Sequence, residues 1–175
     1  AFSTSTFTET DRSIVGDDPH VLLSAANNLL FVSTQGAVGV SVLDPTTLDH
    51  VPGSPIAIPN VHGAGMTSSG DIFYTTNITG GGADALFAID TATLTLAGPG
   101  TPDSTSFPTP HNIALSPDNQ RLFVGHSGAA STKVSIFDIS NPADPTLLGA
   151  VDAQLNPFGI ATVPAIPEPS AWLLA

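Results

Sequence analysis

Three histidines begin three similar stretches of the chain. They are His20, His62 and His111, at intervals of 42 and 49 residues. Each precedes an apolar run. A neutral imidazole can ligate a transition metal or act as a general base, so converging histidines are candidates for either role. The plainer alternative is that a repeated histidine caps a repeated strand by bonding to its neighbour. His20, His62 and His111 are therefore the metal-ligating candidates. His50 and His126 have no repeat partner and are expected at the surface. Asp44, Asp90 and Asp138 each end a third apolar run, followed by Pro-Thr, Thr-Ala and Ile-Ser. Such carboxylates accept backbone amides in Asx turns, and that is the role expected of them. Asp17, Asp18, Asp71, Asp84 and Asp118 offer the hard oxygen donors that calcium prefers. They form neither an EF-hand loop nor a D-x-D-x-D run. A divalent cation such as calcium is the one cofactor the residues suggest, and no residue is assigned as catalytic.

The elements that must position these groups are strands. The short apolar runs Leu29–Ser33, Val38–Leu43, Ile72–Thr75, Leu86–Ile89, Leu122–Val124 and Val134–Ile139 are bounded by turn clusters such as SPDNQ, TGGGAD and SNPADP. No window carries a sustained helical stripe. The pattern repeats in residues 19–44, 61–90 and 110–139, with a phenylalanine in each second run: Phe31, Phe73 and Phe123. About four strands per unit of roughly 40–50 residues predicts an all-β fold of β-propeller-type blades. One twisted sheet cannot cover its own faces, so blades pack face to face around an axis. That geometry brings the three histidines to one mouth of the central channel. A fourth unit starts at 156 with NPFGIATVP and predicts one further inner strand, Phe158–Val163. Three blades and a strand do not close a ring of four to eight. Completion by another chain is the expectation, with residues 1–18 as a closing or donated strand, 19–163 as blades and 164–175 as a Pro-rich tail.

Composition narrows the function classes. The 175 residues amount to one domain. Only 10% are charged, and 15 acids outweigh three bases (Arg12, Arg121, Lys133) for a net charge of −12. Phosphate neutralisation needs clustered Lys and Arg, which excludes nucleic acid and anionic membrane surfaces as partners. There is no cysteine, hence no disulfide, thiolate nucleophile or Cys-based metal site. No stretch reaches the roughly 18 apolar residues of a membrane helix. G-x-S-x-G, H-E-x-x-H and P-loop motifs are absent. Asn77-Ile78-Thr79 forms a glycosylation sequon.

Two resemblances add to this. The string PHNIALSPDNQRLFV (110–124) resembles the inner repeat of YVTN-type, lactonase-like propellers, which read roughly P-x-x-hydrophobic-S-P-D-G-x-x-hydrophobic-Y/F-V. The first unit has AANN (25–28) and the middle one SSGD (68–71) in place of SPDG. The resemblance spans about 19–163 and implies a propeller, in a superfamily that includes enzymes, binding proteins and surface proteins. Residues 167–174, PEPSAWLL, resemble the start of a PEP-CTERM sorting signal. That implies export in a Gram-negative bacterium and an extracellular or outer-surface location, often with exopolysaccharide.

Together these readings favour an exported structural or adhesive protein rather than an enzyme. It would self-assemble into a matrix, sheath or filament as a homo-oligomer or polymer through blade edges and terminal strands, with exopolysaccharide as a further partner. The alternative is a lactonase-like hydrolase, or a carbohydrate- or metal-binding propeller, working through the channel-mouth histidines.

Overall fold

The computed structural model describes residues 5, 9, 12–36, 39–79, 85–101, 109–128 and 131–163. Among them are eleven strands and no helix: β1 (Asp17–Ser24), β2 (Leu29–Gln35), β3 (Val40–Leu43), β4 (Val61–Met66), β5 (Ile72–Asn77), β6 (Leu86–Asp90), β7 (Thr95–Leu96), β8 (Pro110–Leu115), β9 (Arg121–His126), β10 (Lys133–Asp138) and β11 (Thr146–Asp152). They form three antiparallel sheets in sequence order, β1-β2-β3, β4-β5-β6-β7 and β8-β9-β10-β11. These are the three propeller-type blades. In the first, the fourth-strand place is held by two bridges, Val40 with Ile56 and Leu43 with His50. The inner strands β1, β4 and β8 lie side by side at the axis. β1 begins at Asp17, two residues earlier than the sequence pattern places the first blade.

The inner hairpins turn alike. Ser24, Thr67 and Ser116 close them, with Asn28 N donating to Ser24 O at 2.9 Å, Thr67 N to Ile72 O at 3.1 Å and Ser116 N to Arg121 O at 2.8 Å. Left-handed positions fall on Asn28 (φ 54°), Gly70 (φ 81°) and Asn119 (φ 54°). The closing residues leave four-residue loops, AANN, SSGD and PDNQ, with the left-handed residue fourth in the first and third in the other two, places where Asn and Gly tolerate that conformation.

Counting from these turns gives the true repeat. Phe31 stands opposite Leu22 and Val42, Tyr74 opposite Gly65 and Ala88, and Phe123 opposite Ala114 and Ile136. The position shared with Phe31 and Phe123 is therefore Tyr74, not Phe73. With a side-chain period of two, the one-residue difference turns Phe73 to the opposite face. There it stacks on Phe31 of the first blade at 5.2 Å.

Two cores result, one between each pair of adjacent blades. Phe31, Val40 and Val42 meet Phe73, Phe87 and Ile89. Tyr74, Leu86 and Ala88 meet Ile113, Leu122, Val124 and Phe137. Burying each large side chain contributes about 1.5–3 kcal/mol. The Tyr74 hydroxyl leaves its core to donate to Pro142 O at 2.8 Å.

Residues 156–163 run beside β8 where a fourth inner strand would lie. Asn156 N donates to Ser131 O at 2.7 Å and Thr162 Oγ1 to Leu115 O at 2.6 Å. The expected strand Phe158–Val163 does not form, because no strand among the described residues ladders with it. The described blades make an arc. Val21 and Leu23 remain exposed at one end, Leu148 and Phe158 at the other. Of residues 1–18, Glu9 pairs with Arg12 at 2.6 Å. Ser13 and Val15 border the open face of the first blade together with Pro19, Val21 and Leu30. The PEPSAWLL tail lies outside the described residues. Among these, no helix is long and apolar enough to cross a membrane.

Candidate functional site at the blade axis

Each inner strand enters its sheet through a register shift. The shift falls between Asp17 and His20 in β1, between Val61 and Ala64 in β4, and between Pro110 and Ile113 in β8. The irregular residues are thus Asp18-Pro19, His62-Gly63 and His111-Asn112. A bulge re-aims side chains out of the sheet's alternation, and here it turns them to the axis. Asp18 adopts φ 46°, a left-handed conformation that is uncommon outside glycine.

The three expected histidines do meet. His62 Nε2 lies 2.5 Å from His111 Nε2, with ring centroids 3.7 Å apart. The His20 ring packs edge-on against His62 at 4.5 Å. Asp18 Oδ2 is 3.7 Å from His62 Nε2. One ligand atom each from Asp18, His20 and His62 lie within 4.8 Å of one another. The tightest set of donors therefore contains Asp18, with His111 joined to it through His62. Sequence reading grouped Asp18 with the acids instead; its place two residues before His20 was the available signal.

Burial runs inward across the site. Asp18 is exposed, His20 is half-buried, and His62 and His111 are only 1% and 4% exposed. Desolvation, then the neighbouring imidazoles, push the His62 pKa down to about 4 against the pull of Asp18. Burial lowers that of His111 as well. Both rings are neutral near pH 7. His20 Nε2, His62 Nδ1 and His111 Nδ1 are buried without a hydrogen-bond partner among the described residues.

The neighbouring strands hold the site in place. Ser33 Oγ donates to His62 O at 2.6 Å, and Thr76 Oγ1 to His111 O at 2.8 Å. Thr76 Oγ1 also accepts from Gly63 N at 2.8 Å. A Cβ on Gly63 would stand 2.1 Å from His111 O, so only glycine lets β4 and β8 approach this closely. In the fourth unit Phe158 stands where a histidine would, its ring 4.3 Å from His111, and Asn112 Nδ2 donates to Phe158 O. No cationic side chain joins the site. Arg12 pairs with Glu9, Arg121 with Asp138 at 3.0 Å and Lys133 with Asp152 at 2.7 Å.

The other candidates sort as follows. His50 is exposed as expected, its Nδ1 2.8 Å from Ser54 Oγ. His126 is not a surface residue: it is fully buried, with Nε2 2.7 Å from Ser135 Oγ. Its place on a central strand of the third blade, between two neighbours, is the reason. Asp44, Asp90 and Asp138 form the expected Asx turns. Asp44 accepts from Thr46 N at 2.7 Å, Asp90 from Thr93 N at 2.8 Å and Asp138 from Ser140 N at 2.8 Å. The backbone amides hold the Asp44 and Asp90 carboxyls below the usual range, and the Ser140 hydroxyl, then its amide, does so for Asp138. Asp71 is engaged by Ser69 and Thr67, and Asp118 by Ser116 and Gln120. Asp17 lies exposed at the start of β1, and Asp84 lies outside the described residues.

No family model and no curated protein matches the chain. Solved structures do. A Kuenenia stuttgartiensis hydrazine synthase chain is similar over 93% of this chain and 42% of its own, with TM-score 0.65 and 18% identity. A Bacteroides uniformis protein described as a 6-phosphogluconolactonase is similar over 83% and 45%, with TM-score 0.66 and 16% identity. A Bacteroides fragilis protein of the same description is similar over 81% and 44%, with TM-score 0.60 and 20% identity. The chain spans less than half the length of each. At these identities the likeness is one of fold alone: an all-β, β-propeller-type architecture.

Proposed function

We propose that this chain belongs to a lactonase-like propeller whose work is done at the axis, and that it opens lactones or related esters of uncharged sugars. The observation that carries this reading is the convergence of His20, His62 and His111 from three blades, beside Asp18. A purely structural set would have its ring nitrogens satisfied, and three of these are buried without partners. The half-buried His20 and exposed Asp18 form the accessible side. His20 takes a proton from water as the water oxygen bonds to the lactone carbonyl carbon. The ring C–O bond then breaks and the leaving oxygen takes up that proton, giving the hydroxy acid. His62 and His111, fixed through Ser33 and Thr76, position His20 from behind. The absence of Lys and Arg from the site disfavours a phosphorylated substrate, which would want a cationic partner.

The test is acid release in a pH-stat from neutral aldonolactones and from their 6-phospho forms. Turnover of the neutral lactones that disappears in His20→Gln supports the reading. A chain inert toward every lactone overturns it.

A second reading rests on the open ends. Val21 and Leu23 at one end and Leu148 at the other are 53%, 54% and 56% exposed. They lie on blade faces of the kind covered elsewhere in the arc, and self-association through them is the route to an exported, surface-associated assembly. Light scattering of the purified chain checks this: a strict monomer at high concentration removes it.

A further inference from the structure

We infer that the axial cluster is a binding site for one divalent transition-metal ion, held by Asp18, His20 and His62, with His111 adjoining. This rests on the axial reading only for where the working groups lie: a metal-bound His20 has no lone pair left for the proton transfer described above, so the two uses of His20 exclude one another.

The argument is one of donors. A carboxylate oxygen and two imidazole nitrogens from two blades sit within 4.8 Å of one another. A third imidazole presents Nε2 2.5 Å from that of His62. Two facing Nε2 atoms at this distance share at most one proton, and moving that proton to an Nδ1 leaves both Nε2 lone pairs for an ion. In a tetrahedral site with metal–nitrogen bonds of about 2.0–2.1 Å, ligand nitrogens lie roughly 3.3 Å apart. A rotation of under about 1 Å at His62 or His111 reaches that spacing. His20 Nε2, buried and unpartnered, supplies the next donor. The surroundings suit a cation. Asp18 is negative, the three Arg and Lys side chains pair with acids elsewhere, and the chain carries a net charge of −12.

The donor set also selects the ion. Imidazole suits zinc, copper, nickel and iron, whereas calcium and magnesium want oxygen. The calcium expected from the acids therefore gives way to a transition metal at this site. Of the other calcium candidates, Asp71 and Asp118 are already taken up by their own turns.

The test uses the full chain stripped with a chelator and titrated with Zn²⁺ by calorimetry in high salt. Co²⁺ in its place provides the visible bands of a low-symmetry site. The expected result is one ion per chain, unaffected by excess Ca²⁺ or Mg²⁺. Asp18→Asn and His62→Gln should each weaken binding at least tenfold, and His50→Gln should leave it unchanged. Because Asp18 is exposed, Asp18→Asn remains informative even where His62→Gln fails to fold. Several weak, salt-sensitive ions per chain, or affinity unchanged by Asp18→Asn, would show adventitious binding to an acidic surface and overturn the inference. Lactone turnover is read separately. Tight Zn²⁺ without turnover keeps the site and discards the hydrolase, while turnover in a chain that binds no metal does the reverse.

Discussion

The covered and the open blade faces are built from the same residue types and meet different fates. Phe31, Tyr74 and Phe123 hold one position in three successive blades. The first two are fully buried against the next blade, while Phe123 is half-buried and borders a hollow with Val134 and Ile160. On the other side, Leu22 packs into the first core while its neighbour Leu23 is 54% exposed. A blade is thus a sheet written for two partners. Its stability resides between sheets rather than within them, and an unpaired face is an unused interface.

The sharpest way to break this comparison is to truncate equivalent rings. Tyr74→Ala removes a ring from a closed core and is expected to cost about 3–5 kcal/mol. Phe123→Ala should cost well under half as much. Urea denaturation of both variants measures the difference, and equal losses would mean that the open face is covered in solution.

Acid should find the axis next. The folded-state pKa of His62 is about 4, against 6.5 for an ordinary histidine. Between those values the unfolded chain takes up a proton that the folded chain refuses. Stability is therefore full above about pH 6.5 and falls as pH drops toward 4, by about 3 kcal/mol in the metal-free protein. Melting temperatures across this range check it, and His62→Asn should flatten the curve.

A smaller effect belongs to the inter-blade tethers. Thr76→Val deletes the donor to His111 O and the acceptor for Gly63 N, leaving buried groups unpaired. It should cost about 1–3 kcal/mol, read by chemical denaturation. The smallest belongs to the open face itself. Leu23→Ser should leave stability within about 0.5 kcal/mol, because more than half of that residue is exposed. It should nonetheless lower any self-association seen by sedimentation velocity.

Much of this was legible in the residues. Short apolar runs between Gly, Pro, Asn and Asp clusters predicted the strands, and the spacing of His20, His62 and His111 predicted their meeting at the axis. Register was not legible. Aligning Phe73 with Phe31 and Phe123 is the natural reading of the letters, yet ladder pairing shifts the match to Tyr74. A slip of one residue is invisible where both neighbours are large and apolar. The same limit hid Asp18, since its entry into the cluster depends on a bulge placed one step differently in β1. His126 looked solitary in sequence, but lies on a central strand that buries it whatever its repeat status.

The hydroxyl tethers that run from the second strand of one blade to the inner strand of the next point one way along the chain. Ser33 of the first blade holds the inner strand of the second, and Thr76 of the second holds that of the third. In each case the donor is earlier in the sequence than the carbonyl it reaches. A chain emerging from the ribosome therefore presents each new inner strand with a finished docking edge, and synthesis in the N-to-C direction can lay the blades down in order, each completed before the next is needed.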